Sequence, residues 1–253
     1  MLRGRATARR RAAFEYSSFM LNVREASKLL KVSEKKIYEW IKRGILRAER
    51  VNEQYRVHRS DLLERTSSRE INIPAEIFAA PSSAGTVAPG LVDALRAGGI
   101  FYGLRGDDKP AVLRSIVNTL SLPVNSDRNS LAQLLLAREA LGSTAIGEGI
   151  AIPHVRRPIL FNTSSPSVSL CFLEKPVDFS AFDGQPVFAI FLLISPTARM
   201  HLHLLSSLSF ALHDPNLKAA LVNRAAREEI LAEFERVERT IKEQVQVDAE
   251  DAG

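Results

Sequence analysis

The stretch Leu135-Leu-Ala-Arg-Glu-Ala-Leu-Gly-Ser-Thr-Ala-Ile-Gly-Glu-Gly-Ile-Ala-Ile-Pro-His154 passes from a helical pattern through a glycine-rich turn into a short strand that ends on a histidine. Ser130 to Ala140 is amphipathic, with Leu131, Leu134, Leu135 and Leu136 on its apolar face, and Gly142 supplies the residue type that stops such a helix. The glycines invite a nucleotide-loop reading, but their spacing excludes it. There is no Gly-x-Gly-x-x-Gly, and no Gly-Lys-Ser/Thr ending for a phosphate loop. A lone histidine after Ile150-Ala-Ile-Pro is, by itself, more often structural than reactive.

Further along the chain come Pro176-Val-Asp-Phe179, Asp183-Gly-Gln-Pro-Val187 with an apolar strand to Ile194, His201-Leu-His-Leu-Leu-Ser-Ser-Leu, and Asp214-Pro. In this order, and with the stretch above, they resemble the fructose/mannitol and nitrogen-regulatory enzyme IIA family of the phosphoenolpyruvate phosphotransferase system. The resemblance implies an α/β domain, a mixed sheet flanked by helices. It implies that His154 takes a phosphoryl group from a histidine phosphocarrier protein, with His201 as a second active-site histidine and Arg138 as an active-site arginine.

The chemistry suits these residue types. A neutral imidazole is a competent nucleophile near pH 7. Phosphoryl transfer needs placement and charge stabilisation, which a guanidinium supplies by bidentate hydrogen bonding. Transfer between histidines calls for no cofactor, and the sequence has no convincing metal-ligand spacing. His203 would diverge from His201 on a helix and reads as surface or packing; His213, beside Asp214, reads as part of a helix cap. Three features depart from the family pattern: Val155 follows the histidine where a small residue is common, and the linker Pro74 to Gly90 and the strand-like Ile100-Phe-Tyr102 differ from a minimal single-domain IIA.

The formal net charge of +5 is unevenly spread. Met20 to Thr66 carries twelve basic and seven acidic residues, and five further arginines precede it. Such a concentration suits a polyanion partner. Within it, Asn22 and Glu25 form a capping-box pattern, followed by Ala26, Leu29 and Leu30 at helical spacing. Ser33 can cap a second helix, reaching Arg43, that holds Ile37, Trp40 and Ile41 on one side, and Gly44 can end it. Ile45 to Val51 and Gln54 to Val57 read as two strands joined at Asn52-Glu53, and Ser60 can cap a third helix through Leu62 and Leu63. Leu21 to Gly44, continued by Arg56-Val-His-Arg-Ser-Asp61, resembles the MerR-like, excisionase-type winged helix-turn-helix family. That resemblance implies a DNA partner. Ser33, Lys35, Lys36 and Tyr38 become recognition-helix candidates, and Arg24, Arg56 and His58 candidates for phosphate contacts. The blander readings are a solvated lysine surface and a plain core for Trp40 and Ile37.

The expected organisation is a disordered basic arm over 1–19, a winged helix-turn-helix domain over 20–66, a linker over 67–90, an enzyme IIA-like domain over 91–238 and a tail over 239–253. Met20 would serve as a start, so the arginine-rich leader reads either as a mis-called upstream extension or as a real basic arm. The single Cys171 cannot pair internally, and no apolar run reaches the ~20 residues of a membrane helix. A cytoplasmic protein without membrane insertion is expected. From Ala225 to Val245, Ile230, Phe234, Val237 and Ile241 form a helical stripe that either packs on its own domain or pairs two subunits into a homodimer. The favoured function is a DNA-binding regulator controlled by phosphorylation of His154. The rivals are a phosphocarrier in a sugar relay that uses the N-terminal module as a tether, and an architectural DNA-binding protein with a degenerate IIA domain.

Overall fold

Asn22 begins the first helix as its sequence implies. Its Oδ1 accepts the Glu25 N–H at 2.8 Å while the Glu25 carboxylate accepts the Asn22 N–H at 2.8 Å. In the computed structural model the described residues are 20–46, 48–51, 54–58, 62, 90–122, 126–155 and 165–250. The expected arm and almost all of the expected linker lie outside them, as do the third helix beyond Leu62 and the end of the tail. The chain divides into two compact units, Met1–Pro74 and Ala75–Gly253.

In the first unit, α1 (Val23–Leu29) and α2 (Glu34–Lys42) are joined by a tight turn. Ser33 caps α2, its hydroxyl accepting the Lys36 N–H. Val23, Ala26, Leu30, Ile37 and Trp40 are buried between the helices and the sheet, together with Leu46, Val57 and Leu62. The sheet has the order β1-β3-β2, with β1 (Met20–Asn22), β2 (Glu49–Val51) and β3 (Gln54–His58). β1 is unexpected: three residues carry too little alternation to be read, and what makes them a strand is antiparallel pairing of Leu21 with Val57. The strand expected from Ile45 starts later, at Glu49. The N–H groups of Ile45 and Leu46 both go to Trp40 O, closing α2 instead of joining a ladder.

The second unit has a five-stranded mixed sheet of order β4-β7-β8-β6-β5. Its strands are β4 (Ile100–Leu104), β5 (Ala145–Gly147), β6 (Ile150–Ala151), β7 (Ser167–Val177) and β8 (Val187–Ile194). β4 runs parallel to β7 and β6 parallel to β8, whereas β7–β8 and β5–β6 are antiparallel. One face packs on α4 (Lys109–Thr119) and α5 (Arg128–Ala140), where Leu113, Ile116, Leu131 and Leu135 meet Cys171, Ile190 and Leu192. Asp127 caps α5, and that helix begins at Arg128, two residues before the Ser130 at which its amphipathic stretch is expected to start. Burial pushes the Cys171 thiol up to about 12, which leaves it inert in this core.

The opposite face carries α3 (Leu91–Gly98), α6 (Ala198–Ala211) and α8 (Arg227–Glu250), with α7 (Pro215–Val222) linking the last two. Phe191 of β8 meets Phe234 of α8 edge-on at 6.1 Å, and Ile230 and Val237 are also buried. The stripe is therefore covered within its own unit as far as Val237, and needs no second subunit over that length. No helix among the described residues is long and apolar enough to cross a membrane.

Asp214 ties α7 to α8: it caps α7 through the Asn216 and Leu217 amides and pairs with Arg236. Burial tends to raise its carboxyl, but hydrogen bonds from Arg236 and the two amides outweigh that and hold it below its ordinary value. A depressed carboxylate stabilises the fold above its unfolded value, ~3.9, and that contribution vanishes as pH falls through the folded value. Asp214→Ala should cost about 1–2 kcal/mol at pH 7, chiefly from the lost cap. Thermal unfolding of the two proteins should show the gap narrowing below about pH 4.

Candidate functional site

His154 stands at the end of a strand that Pro153 interrupts but does not displace. Ile150 pairs with Ala189 and Ala151 with Ile190, and His154 rejoins β8 beside Leu193 in the same parallel register. Pro153 has no N–H to give a ladder, so the break falls where it costs least. Phe191 faces α8, and Leu193 lies two residues further on the same face. His154, paired with Leu193, therefore turns toward the α6 side.

There it meets His201, in the first turn of α6. The imidazole centroids lie 4.9 Å apart with planes tilted by 43°. Both residues are buried, at 0 % and 6 % exposure. His154 Nδ1 lies 2.9 Å from Ile152 O. A carbonyl oxygen only accepts, so Nδ1 donates, which puts the lone pair of the neutral ring on Nε2.

The glycines serve the turn before the strand. Gly147, Glu148 and Gly149 all have positive φ, at 94°, 53° and 73°. A Cβ on Gly149 would come within 2.5 Å of the Phe188 ring. The Asp183 carboxylate fixes the turn by accepting the Glu148 N–H at 2.7 Å, and the Glu148 carboxylate pairs with Lys218 at 2.6 Å.

Arg138 lies in the last turn of α5, 5 % exposed, with Nη1 donating to Gly142 O at 3.1 Å. Its neighbour Glu139 was not evident from sequence. The buried Glu139 carboxylate accepts the Thr144 N–H and hydroxyl, at 3.0 and 2.6 Å, and pairs with Lys109 at 3.2 Å. Thr144 O accepts the Ile152 N–H at 3.0 Å, and Ile152 O is the partner of His154 Nδ1. Hydrogen bonds through Thr144 and Ile152 thus connect the partly buried Glu139–Lys109 ion pair to the imidazole. Glu139→Ala would leave Thr144 without its acceptor and Lys109 with only Phe179 O, at 2.9 Å, and should cost about 3 kcal/mol. Urea unfolding measures this, and Glu139→Gln, which keeps an acceptor oxygen, should recover part of the loss.

In the first unit the candidates sort by position. Lys35, Lys36 and Tyr38 are exposed on α2, Ser33 caps it, and Arg24 is exposed on α1. Lys36 also reaches Glu39 at 3.8 Å. Arg56 and His58 lie on β3, opposite Asn22 and Met20. Tyr38, 48 % exposed, meets Tyr55 of β3 edge-on at 6.1 Å. Tyr55 went unnoticed in the sequence because nothing local links it to α2.

A family model described as phosphoenolpyruvate-dependent sugar phosphotransferase system, EIIA 2, matches residues 94–237, and one for a helix-turn-helix domain matches residues 20–69. The nitrogen regulatory protein of Pseudomonas aeruginosa is 42 % identical over 100 residues, which are 39 % of this chain and 63 % of that protein. The chain thus spans less than two thirds of that relative's length. The nitrogen regulatory protein of Bradyrhizobium diazoefficiens is 32 % identical over 131 residues, 51 % of this chain and 82 % of that protein. The crystal structure of nitrogen regulatory protein IIA-Ntr from Neisseria meningitidis aligns with a TM-score of 0.47 and 28 % identity, covering 53 % of this chain and 92 % of that one. The chain belongs to the EIIA 2 family of the phosphoenolpyruvate-dependent sugar phosphotransferase system, and it joins to that domain an N-terminal helix-turn-helix.

Proposed function

We propose that this chain is a cytoplasmic DNA-binding regulator whose output is set by a phosphoryl group on Nε2 of His154. The observation that carries the reading is the enclosed pair of imidazoles 4.9 Å apart, with the His154 tautomer fixed by Ile152 O. The Nε2 lone pair attacks phosphorus on the phosphohistidine of a histidine phosphocarrier protein. The new N–P bond forms as the donor's N–P bond breaks, and the donor imidazole leaves with the bonding electrons. Arg138 supplies positive charge, and His201 a hydrogen bond, to the phosphoryl oxygens.

The helix-turn-helix supplies the output. Its β2–β3 hairpin suits a wing of the MerR/excisionase type, with α2 entering the major groove and Arg24, Arg56 and His58 on the phosphates. Ser33, Lys35, Lys36 and Tyr38 are the recognition-helix residues: Ser33 and Tyr38 would meet base edges, and the charges of the two lysines would also neutralise flanking phosphates.

The test charges the full chain with phosphorylated histidine phosphocarrier protein and compares DNA binding of the two forms. Acid-labile label on His154 and a change in DNA affinity of several fold are expected. Label without any change in DNA binding would leave a phosphocarrier with a tether, and a sugar-uptake defect on deleting the protein would favour that rival.

A further inference from the structure

Ser195 follows directly on β8, in the short connection that leads into α6. Its residue exposure is 1 %, and its hydroxyl oxygen is buried with no hydrogen-bond partner among the described residues. A buried hydroxyl left unsatisfied destabilises a fold, so natural sequences rarely keep one without use. Serines 206, 207 and 209 are buried as well, but none of their oxygens shares this condition.

Its place indicates the use. Ile190, Leu192 and Ile194 face the core under α4 and α5, so Phe191 and Leu193 face the other way, and the alternation carried one residue past Ile194 puts Ser195 with them. Leu193 is the residue paired with His154. Ser195 therefore shares a face with His154 and lies just past the C-terminal end of β8. The chain then turns through Pro196 to Thr197, which caps α6 by accepting the Met200 N–H at 3.2 Å. His201 sits in that same first turn, its N–H bonded to Thr197 O. The first amides of α6, at positions 198 and 199, have no acceptor within the helix, and the helix dipole adds positive potential there. The helix start alone would mean little. A buried hydroxyl that has no acceptor, and two imidazoles on the same side of the sheet, are the independent observations that join it.

We propose that Ser195 Oγ and the first turn of α6 bind the peripheral oxygens of the phosphoryl group carried on His154 Nε2, with Ser195 donating a hydrogen bond that has no acceptor until the group arrives. This rests on the phosphotransfer reading given above. The serine is neither nucleophile nor base: the N–P bond forms and breaks at His154, and the Ser195 hydroxyl keeps its proton.

A hydroxyl that serves the fold and one that serves the phosphoryl group are separable by experiment. Full-length wild type, Ser195→Ala and Ser195→Thr are each charged with phosphorylated histidine phosphocarrier protein. The charging rate and the first-order loss of label after removal of the donor are then measured. Ser195→Ala should still be labelled on His154 but charge about 10-fold more slowly, the usual effect of one lost hydrogen bond to a charged group. Its label should also decay several-fold faster. Ser195→Thr, which keeps the hydroxyl, should stay near wild type. The uncharged Ser195→Ala protein should unfold at the same temperature as wild type or higher, because it loses an unsatisfied group. Ser195→Ala rates equal to wild type, or a lowered unfolding temperature with unchanged label decay, would overturn the proposal and leave phosphotransfer standing. Absence of label on the wild type would overturn the phosphotransfer reading and this proposal with it.

Discussion

His154→Ala is expected to reduce acid-labile phosphorylation by a thousandfold or more, to the limit of detection, because removing a nucleophile removes the reaction path itself. His201→Ala and Arg138→Ala should each slow charging by roughly 10- to 100-fold without stopping it, as groups that stabilise charge contribute rate in smaller factors. His203→Ala should charge normally. The His154 ring is fully buried, so alanine leaves a cavity, and His154→Gln serves as a second variant that better fills the space. Transfer from radiolabelled phosphocarrier, followed by acid lability, reads all five proteins. Full labelling of both His154 variants would place the acceptor elsewhere and undo the site.

DNA affinity should fall roughly 100-fold when salt is raised fourfold, from 50 to 200 mM. Each phosphate neutralised releases counterions and contributes about −0.9 to the log–log slope. Arg24, Lys35, Lys36 and Arg56 engaged together give a slope of roughly −3.6. Lys35→Ala with Lys36→Ala should bring the slope to roughly −1.8 and weaken binding at every salt concentration. Fluorescence anisotropy of the full chain on a duplex carrying its own promoter measures both. Binding that ignores salt, or no binding at low salt, would count against a DNA-contacting α2.

Much of this was legible because it is local. The capping box at Asn22, the cap at Ser33 and the stripe from Ile230 to Val237 are written in residues three or four apart, and they survive into the fold. The histidine pair was legible only through family resemblance: His201 comes 47 positions after His154, and no periodicity links them. What escaped notice is non-local. β1 exists because Leu21 finds Val57, Tyr38 of α2 meets Tyr55 of β3, and Glu139 is defined by Lys109, thirty residues earlier. Ser195 reads as an ordinary strand-end serine until its burial is known. Ile45 was misread because an apolar residue that closes a helix looks, in sequence, like the start of a strand.

The Nε2 atoms of both histidines are enclosed, with essentially no surface open to solvent. An acceptor held this way meets its donor only during the fraction of time that it is uncovered, and the apparent affinity for the donor is weakened by that fraction. With abundant donor, the charging rate should level off at the rate of uncovering, whatever the speed of the chemistry. The same enclosure shields the finished phosphoramidate bond from water. Loosening it would make the protein quick to charge and quick to forget, whereas tightening it would lengthen the memory of a signal at the expense of response time.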